Sequence, residues 1–141
     1  GLVERIGESS GNIKQQSFNG IFDQTCEISD HKAAMALVIK ALTDHKNGII
    51  EKVSEIFGIG HRVVHGGEEY SSSILIDENV MKSIEKNIEL APLHNPANLT
   101  GIIEATTFFP ECKQVAVFDT DFHQTLPPAA YLYGIPRELY D

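Results

Sequence analysis

The chain has 141 residues, of which 42% are hydrophobic, so it is long enough for one compact domain with a sizeable core and too short for two ordinary ones. Its formal net charge of −9 opposes binding to phosphate backbones and anionic lipid, and we expect no nucleic-acid partner. The most apolar run, residues 33–42, is about half the length that crosses a bilayer, so we expect no membrane segment.

Two elements are predicted in the first third of the chain. Residues 13–18 alternate weakly between apolar and polar side chains and lead into Asn19-Gly20, a pattern typical of a β-hairpin. Asp30 follows as a candidate N-cap, and apolar residues then recur at helical spacing from Ala33 to Leu42. The sequence therefore predicts a hairpin and then an amphipathic helix.

The remaining elements alternate in type. Residues 59–65 and 73–76 are β-rich and predict two strands. Asp77 can cap a helix that contains Val80 and Ile88, and Asn95-Pro96 predicts a helix with Asn95 as N-cap that runs to about Phe109. Residues 115–118 are wholly apolar, which is typical of a strand buried on both faces of a parallel sheet. Strands interleaved with helices predict an α/β domain.

The strand at residues 59–65 carries the first candidate site. Its period of two places Arg62 and Val64 on one face. A guanidinium binds carboxylate or phosphate bidentately, and valine packs a small apolar tail, so the pair suits a small carboxylate. Gly66 and Gly67 would let a ligand or another backbone approach closely. The alternative is an edge-strand arginine in an ordinary surface ion pair.

Two further candidates lie at the ends of elements. His94 precedes a predicted helix start, where free N–H groups and the dipole favour an anion, and Leu93 beside it would extend an apolar wall. Asp119 follows a predicted strand, at the edge where open α/β sheets bind ligands. His94 could instead decorate a loop, and Asp119 could cap the next turn. Asp121 and His123 are weaker candidates in that loop.

Histidines and cysteines bear on metal and redox chemistry. On one strand His61 and His65 would lie roughly 13 Å apart, too far for one zinc ion, so we expect each to be packed or hydrogen-bonded. A metallohydrolase built on the six histidines remains a minor alternative. Cys26 and Cys112 lack CxxC spacing, which predicts two reduced, buried thiols in a cytoplasmic protein.

Four sequence blocks resemble the acetate kinase family in content, order and spacing. They are GHRVVHGGE at 60–68, LAPLHNPAN at 90–98, VAVFDT at 115–120 and FHQT at 122–125, and a fainter likeness extends from residues 1–7 to 131–133. The resemblance implies an α/β fold that is part of the N-terminal actin-like (ribonuclease H-like) domain of the acetate and sugar kinase, Hsc70 and actin superfamily. Residues 1–141 would be a single partial domain that lacks its first strands, with the C-terminal domain absent.

The resemblance also implies an activity. The parent enzyme would transfer the γ-phosphoryl group of ATP reversibly to acetate, with Mg²⁺, giving acetyl phosphate and ADP, and would be a homodimer. Both ends of the chain look cut, with a first residue other than Met and a partial helical turn at 136–141. Because the absent second domain would hold most of the ATP site, we expect a piece that is inactive alone. The alternatives are a propionate or butyrate kinase, or an isolated carboxylate- or phosphate-binding module.

Residue roles follow from the same resemblance. Arg62 would bind the carboxylate or phosphoryl group, His94 would steady the transferring phosphoryl oxygens, and Asp119 would serve the catalytic centre. Because acetate is already ionised near neutral pH and needs no general base, we expect Asp119 to orient an arginine or the magnesium shell. Val64 and Leu93 would line the acetate methyl pocket. No nucleotide-binding or metal ligand is assigned within these residues. The sequence departs from the family at Asp121, where alanine is more usual, and lacks the early Asn-x-Gly-Ser-Ser-Ser phosphate loop.

Overall fold

The computed structural model describes residues 1–70 and 72–140. The strands are β1 Leu2–Glu4, β2 Gly11–Ser17, β3 Gly20–Cys26, β4 Gly58–Val63, β5 Ile74–Leu75 and β6 Lys113–Phe118. The α-helices are α1 His31–Leu42, α2 Glu78–Lys86, α3 Asn95–Phe108 and α4 Pro128–Tyr131. Single 3-10 segments occupy Val53–Glu55, Asn87–Glu89, Asp119–Thr125 and Arg137–Leu139.

The first half forms an antiparallel sheet with the order β1-β2-β3. The predicted hairpin is confirmed, with Ser17 paired to Gly20 across a two-residue loop. The helix that follows is also confirmed, and the Asp30 carboxylate accepts a hydrogen bond from the Ala33 N–H at 2.7 Å. Gln15 on β2 is buried and donates to the Ala41 carbonyl at 3.0 Å, which ties the sheet to α1.

The second half forms a sheet with the order β4-β6-β5, in which β4 and β6 are parallel and β5 is antiparallel. Both strands predicted after α1 are therefore confirmed, but β4 ends at Val63 rather than at residue 65. The prediction that residues 115–118 are buried on both faces is wrong. Ala116 and Phe118 are buried, whereas Val117 on the opposite face is 45% exposed.

The core lies between this second sheet and helices α2 and α3. It is a cluster of buried side chains: Val63, Val80, Ile84, Ile102, Ala116 and Phe118. The predicted cap of α2 is confirmed, because the Asp77 carboxylate accepts from the N–H groups of Asn79 and Val80, each at 2.9 Å. α3 packs against β4 and α2 packs against α3, and the shared cluster holds the end of β4 in place relative to the start of α3.

Two details of the predictions are wrong. The N-cap of α3 is His94, and Asn95 is the first helical residue with its side chain fully buried. Cys26 and Cys112 are free but only half-buried, and neither belongs to the core cluster above. Among the helices of residues 1–70 and 72–140, none is long and apolar enough to cross a membrane.

Candidate active site

Arg62 and Asp119 meet at the carboxyl ends of the two parallel strands. Arg62 lies in β4 opposite Val117 of β6, and Asp119 immediately follows β6. The guanidinium donates from Nε to Oδ1 and Oδ2 at 2.9 and 3.2 Å, and from Nη2 to Oδ2 at 2.7 Å. Parallel pairing thus brings together two candidates that are 57 positions apart in sequence.

This ion pair is open to solvent and electrostatically complementary. The Arg62 side chain is 77% exposed and that of Asp119 is 38% exposed. The hydrogen bonds from Arg62 lower the pKa of Asp119, partial burial opposes them, and the charges of Arg62 and His94 lower it further. The same contact raises the pKa of Arg62. Near neutral pH the site therefore presents an ionised carboxylate that orients a guanidinium reachable from solvent.

His94 and Leu93 occupy the turn that leads into α3. His94 is the N-cap, its side chain is exposed and makes no capping hydrogen bond, and it is close enough to Asp119 to influence the pKa of that carboxyl. Leu93 is 85% exposed. An anion near Arg62 would thus also meet the N-terminal end of a helix. The structure brings Arg62, Asp119 and His94 to one edge of the sheet.

Val64 lies just beyond the end of β4, and asparagines of α3 hold its backbone. Asn98 Oδ1 accepts from the Val64 N–H at 3.2 Å. Asn95 accepts from the His65 N–H at 3.2 Å and donates to the His65 carbonyl at 3.0 Å. These asparagines were missed as site residues, because only their position beside His94 in the chain hinted at a role.

The two glycines make room for protein groups rather than for a ligand. A Cβ on Gly66 would lie 2.6 Å from a ring carbon of Phe118, and one on Gly67 would lie 2.7 Å from the amide nitrogen of Asn87. Gly67 also has φ +68°, which favours glycine. The groups that approach these glycines closely are therefore the side chains of Phe118 and Asn87, whereas the sequence predicted a ligand or another backbone.

Among the residues that the structure describes, neither His61 nor His65 contributes to a metal cluster. His61 Nε2 contacts Gln114 Oε1 at 2.7 Å, and His65 Nδ1 accepts from the Gly67 N–H at 3.0 Å, so both are hydrogen-bonded as expected. In the described part of the chain no three His, Cys, Asp or Glu side chains are grouped to hold a metal ion. A metal ion at this edge could be held by the Asp119 carboxylate together with oxygens of the ligand.

The loop after Asp119 holds the weaker candidates. Asp121 and His123 lie in the 3-10 segment Asp119–Thr125, where the His123 ring meets Phe122 edge to face. One oxygen of Asp121 and the hydroxyl of Thr120 are buried without a hydrogen-bond partner among the described residues. Neither Asp121 nor His123 joins the Arg62 contact.

The candidate site is an open surface. A cavity of ≈ 260 Å³ lies between the first sheet and α1, and another of ≈ 280 Å³ lies between α2 and α3. Neither is lined by Arg62, His94 or Asp119. The chain is therefore an α/β protein that carries an arginine–carboxylate pair at the carboxyl edge of its parallel strands. This edge is suited to anionic ligands.

Comparison with known proteins defines the family. The profile of the Acetokinase family matches residues 1–141, and the chain belongs to this family. It is 54% identical over 144 residues to an acetate kinase of Clostridium botulinum (strain Okra / Type B1), covering 100% of this chain and 36% of that protein. The chain thus spans about a third of the length of such relatives.

Solved structures agree with the architecture. The crystal structure of Porphyromonas gingivalis acetate kinase matches with a TM-score of 0.89 and 39% identity, over 97% of this chain and 35% of that one. A propionate kinase from Francisella tularensis matches with a TM-score of 0.84 and 38% identity, over 97% and 34%. The α/β fold is that of part of the N-terminal domain in the actin-like superfamily.

Proposed function

We propose that the full-length protein that contains this chain is an acetate kinase, which transfers the γ-phosphoryl group of ATP reversibly to acetate and yields acetyl phosphate and ADP. Membership of the Acetokinase family supports the reaction class. The observation that carries the assignment of residues is the bidentate Arg62–Asp119 pair, which presents an oriented guanidinium at the carboxyl edge of β4 and β6.

In the proposed reaction a carboxylate oxygen of acetate attacks the γ-phosphorus in line. The new O–P bond forms as the bond from the γ-phosphorus to the β,γ-bridging oxygen breaks, and ADP leaves with that oxygen. Acetate, with a pKa of roughly 4, is already ionised near neutral pH, so this step needs no general base. Catalysis then consists of positioning and charge neutralisation.

Each candidate residue has a part in that positioning. Arg62 would hold the carboxylate or the transferring phosphoryl group, and Asp119 would orient Arg62, as their hydrogen bonds suggest. His94 at the start of α3 would donate to a phosphoryl oxygen. Val64 and Leu93 would form the apolar walls beside the methyl group. These roles rest on the shared edge of the sheet and on the exposed positions of Arg62, His94 and Leu93.

Magnesium fits this site through a single side chain. Mg²⁺ is commonly held by one or two carboxylates together with substrate phosphates and water, and Asp119 is such a carboxylate within reach of solvent. When bound, the ion supplies neutralisation of charge on phosphate oxygens. The hydrogen bonds to Arg62 keep Asp119 ionised, which is the protonation state that this role requires.

The test is carboxylate-dependent release of ADP by the full-length enzyme. Arg62→Ala should lower kcat/KM for acetate by about 10²–10³-fold, because a charged donor to the developing negative charge is lost. Arg5→Ala removes an arginine from another exposed ion pair and is the matched control, expected to leave the rate unchanged. Near-normal formation of acetyl phosphate by Arg62→Ala would overturn the assignment.

Propionate is the second candidate substrate. It is supported by the similarity to the F. tularensis propionate kinase, and assays with acetate, propionate and butyrate side by side would rank the substrates. A kcat/KM for propionate that exceeds the value for acetate would replace the first candidate. We further propose a cytoplasmic homodimer, to be tested by cell fractionation and analytical ultracentrifugation of the full-length enzyme.

A further inference from the structure

The backbone just after Val63 is held by side chains rather than by a neighbouring strand. β4 ends at Val63, and the next two N–H groups, those of Val64 and His65, donate to Asn98 Oδ1 and Asn95 Oδ1, each at 3.2 Å. The Asn95 amide also donates to the His65 carbonyl at 3.0 Å. The first turns of α3 therefore take the place of a strand partner for this segment.

Asn95 connects the same segment to a third element. Its side chain is fully buried, and its amide lies 3.0 Å from the Ile84 carbonyl and 3.4 Å from the Asn87 carbonyl, both near the C-terminal end of α2. The Asn87 carbonyl already accepts from the N–H groups of Leu90 and Ala91, so Asn95 adds a side-chain donor to the carbonyls at this helix end. Because all of these contacts are made by one buried amide, Asn95 leaves the Val64–His65 backbone little freedom relative to α3.

Asn98 is less buried and has a narrower role. Its Oδ1 accepts one hydrogen bond, from Val64, and Val64 is one of the two residues proposed to flank the methyl group of the substrate. The other, Leu93, precedes His94, the N-cap of α3, and the first turns of this helix contain both asparagines. Both residues proposed to flank the methyl group are thus attached to the start of one helix, Val64 through the Asn98 hydrogen bond and Leu93 through the chain.

We propose that Asn98, supported by Asn95, is a positioning residue that sets the gap between Val64 and Leu93 and thereby the discrimination between acetate and longer carboxylates. This inference rests on the proposed function. Loss of the Asn98 acceptor frees the Val64 backbone to move outward, so the gap should admit an extra methylene more readily. Neither asparagine touches the reacting atoms, and the effect should appear in KM rather than in kcat.

The experiment compares three variants in the full-length enzyme. Asn98→Ala removes the acceptor, Asn98→Asp retains an oxygen at the same position, and Asn79→Ala changes an exposed asparagine on α2 as a control. Asn98→Ala should shift the propionate-to-acetate ratio of kcat/KM about five- to tenfold towards propionate, mostly through KM, the effect expected for one hydrogen bond. Asn98→Asp and Asn79→Ala should stay within about twofold of the wild type.

Amide exchange of Val64 separates positioning from general stability. In Asn98→Ala the Val64 N–H should exchange faster, while core amides such as that of Ile102 keep their protection. An unchanged substrate ratio despite faster Val64 exchange would overturn this inference and leave the proposed function intact. A wild-type enzyme without carboxylate-dependent ADP release would overturn the proposed function, and the inference with it. If Asn98→Ala does not fold, Asn98→Ser serves as the acceptor-shortened variant with the same expected shift.

Discussion

The contact between His61 and Gln114 allows a sharp test of the packing behind the site. Thr106 Oγ1 lies 2.9 Å from the Ile102 carbonyl, which can only accept, so the hydroxyl donates there. The Gln114 amide nitrogen then donates to Thr106 Oγ1 at 2.8 Å, which leaves Gln114 Oε1 facing His61 Nε2 at 2.7 Å. His61 must therefore carry a proton on Nε2.

The contribution of the His61–Gln114 hydrogen bond to the free energy of unfolding can be measured by removing one partner at a time. Gln114→Met leaves the half-buried Nε2–H of His61 without an acceptor, and His61→Phe leaves Gln114 Oε1 without a donor. Each change should lower the free energy of unfolding by about 1–3 kcal/mol, the usual cost of an unpaired buried polar group. The double variant removes both groups, so its loss should be smaller than the sum by about 1 kcal/mol or more.

The same pair predicts a dependence on pH. Burial lowers the pKa of His61, and the hydrogen bond to Gln114 offsets part of this shift. With a folded-state pKa below the unfolded one, the unfolded chain binds more protons as pH falls below about 6.5. Stability is therefore complete above that pH and is lost as the solution becomes more acidic. His61→Phe should remove this part of the acid sensitivity.

Urea unfolding of the four proteins in the cycle, at about pH 7.5 and about pH 5.5, measures both effects. His45→Phe is the control, because His45 is exposed and its replacement should leave the acid-side loss in place. Two single losses that simply add would refute the assigned hydrogen bond. An acid-side loss of equal size in the wild type and in His61→Phe would refute the burial argument.

Two further predictions concern residues that shape the backbone around the site. Gly66→Ala should destabilise the protein by about 1–3 kcal/mol in thermal unfolding, because the new Cβ meets Phe118. Gly101→Ala, in open space on α3, should stabilise it slightly. Equal unfolding midpoints for the two variants would contradict the close contact. Asp77→Ala should cost about 1 kcal/mol through loss of the cap of α2, and Asp77→Ser should restore most of it; an unchanged midpoint in Asp77→Ala would count against the cap.

Elements with local signals were predictable. Asp30 and Asp77 cap the helices that follow them, and the hairpin and the strand before Asp119 follow from short-range patterns. Strand β1 was not predicted, because its three residues carry no period and depend on pairing with β2. Local pattern alone therefore identifies elements that organise themselves but misses those that neighbours impose.

The candidate site also contains residues that local signals predict and residues whose role depends on distant partners. Residue type and position at element ends predict three candidates, Arg62, His94 and Asp119. The structure places them at one edge of the second sheet. The sequence predicts Asn95 as a helix cap, whereas its side chain binds the carbonyl groups of Ile84 and His65. Both partners lie outside α3 and its flanking residues. A sequence window does not contain those partners, so it favours the local use of an asparagine over the long-range one.

The Arg62–Asp119 pair makes anion binding an exchange. Asp119 already occupies Nε and Nη2 of the guanidinium, so an incoming oxyanion competes with it, and the measured affinity reflects the difference between two contacts. Because the pair is largely exposed, water and dissolved salt weaken it, and its release opposes the newcomer only slightly. Dissolved salt weakens the contact of Arg62 with Asp119 and the contact of Arg62 with the incoming oxyanion together. Binding at Arg62 should therefore vary less steeply with ionic strength than a lone surface cation would imply.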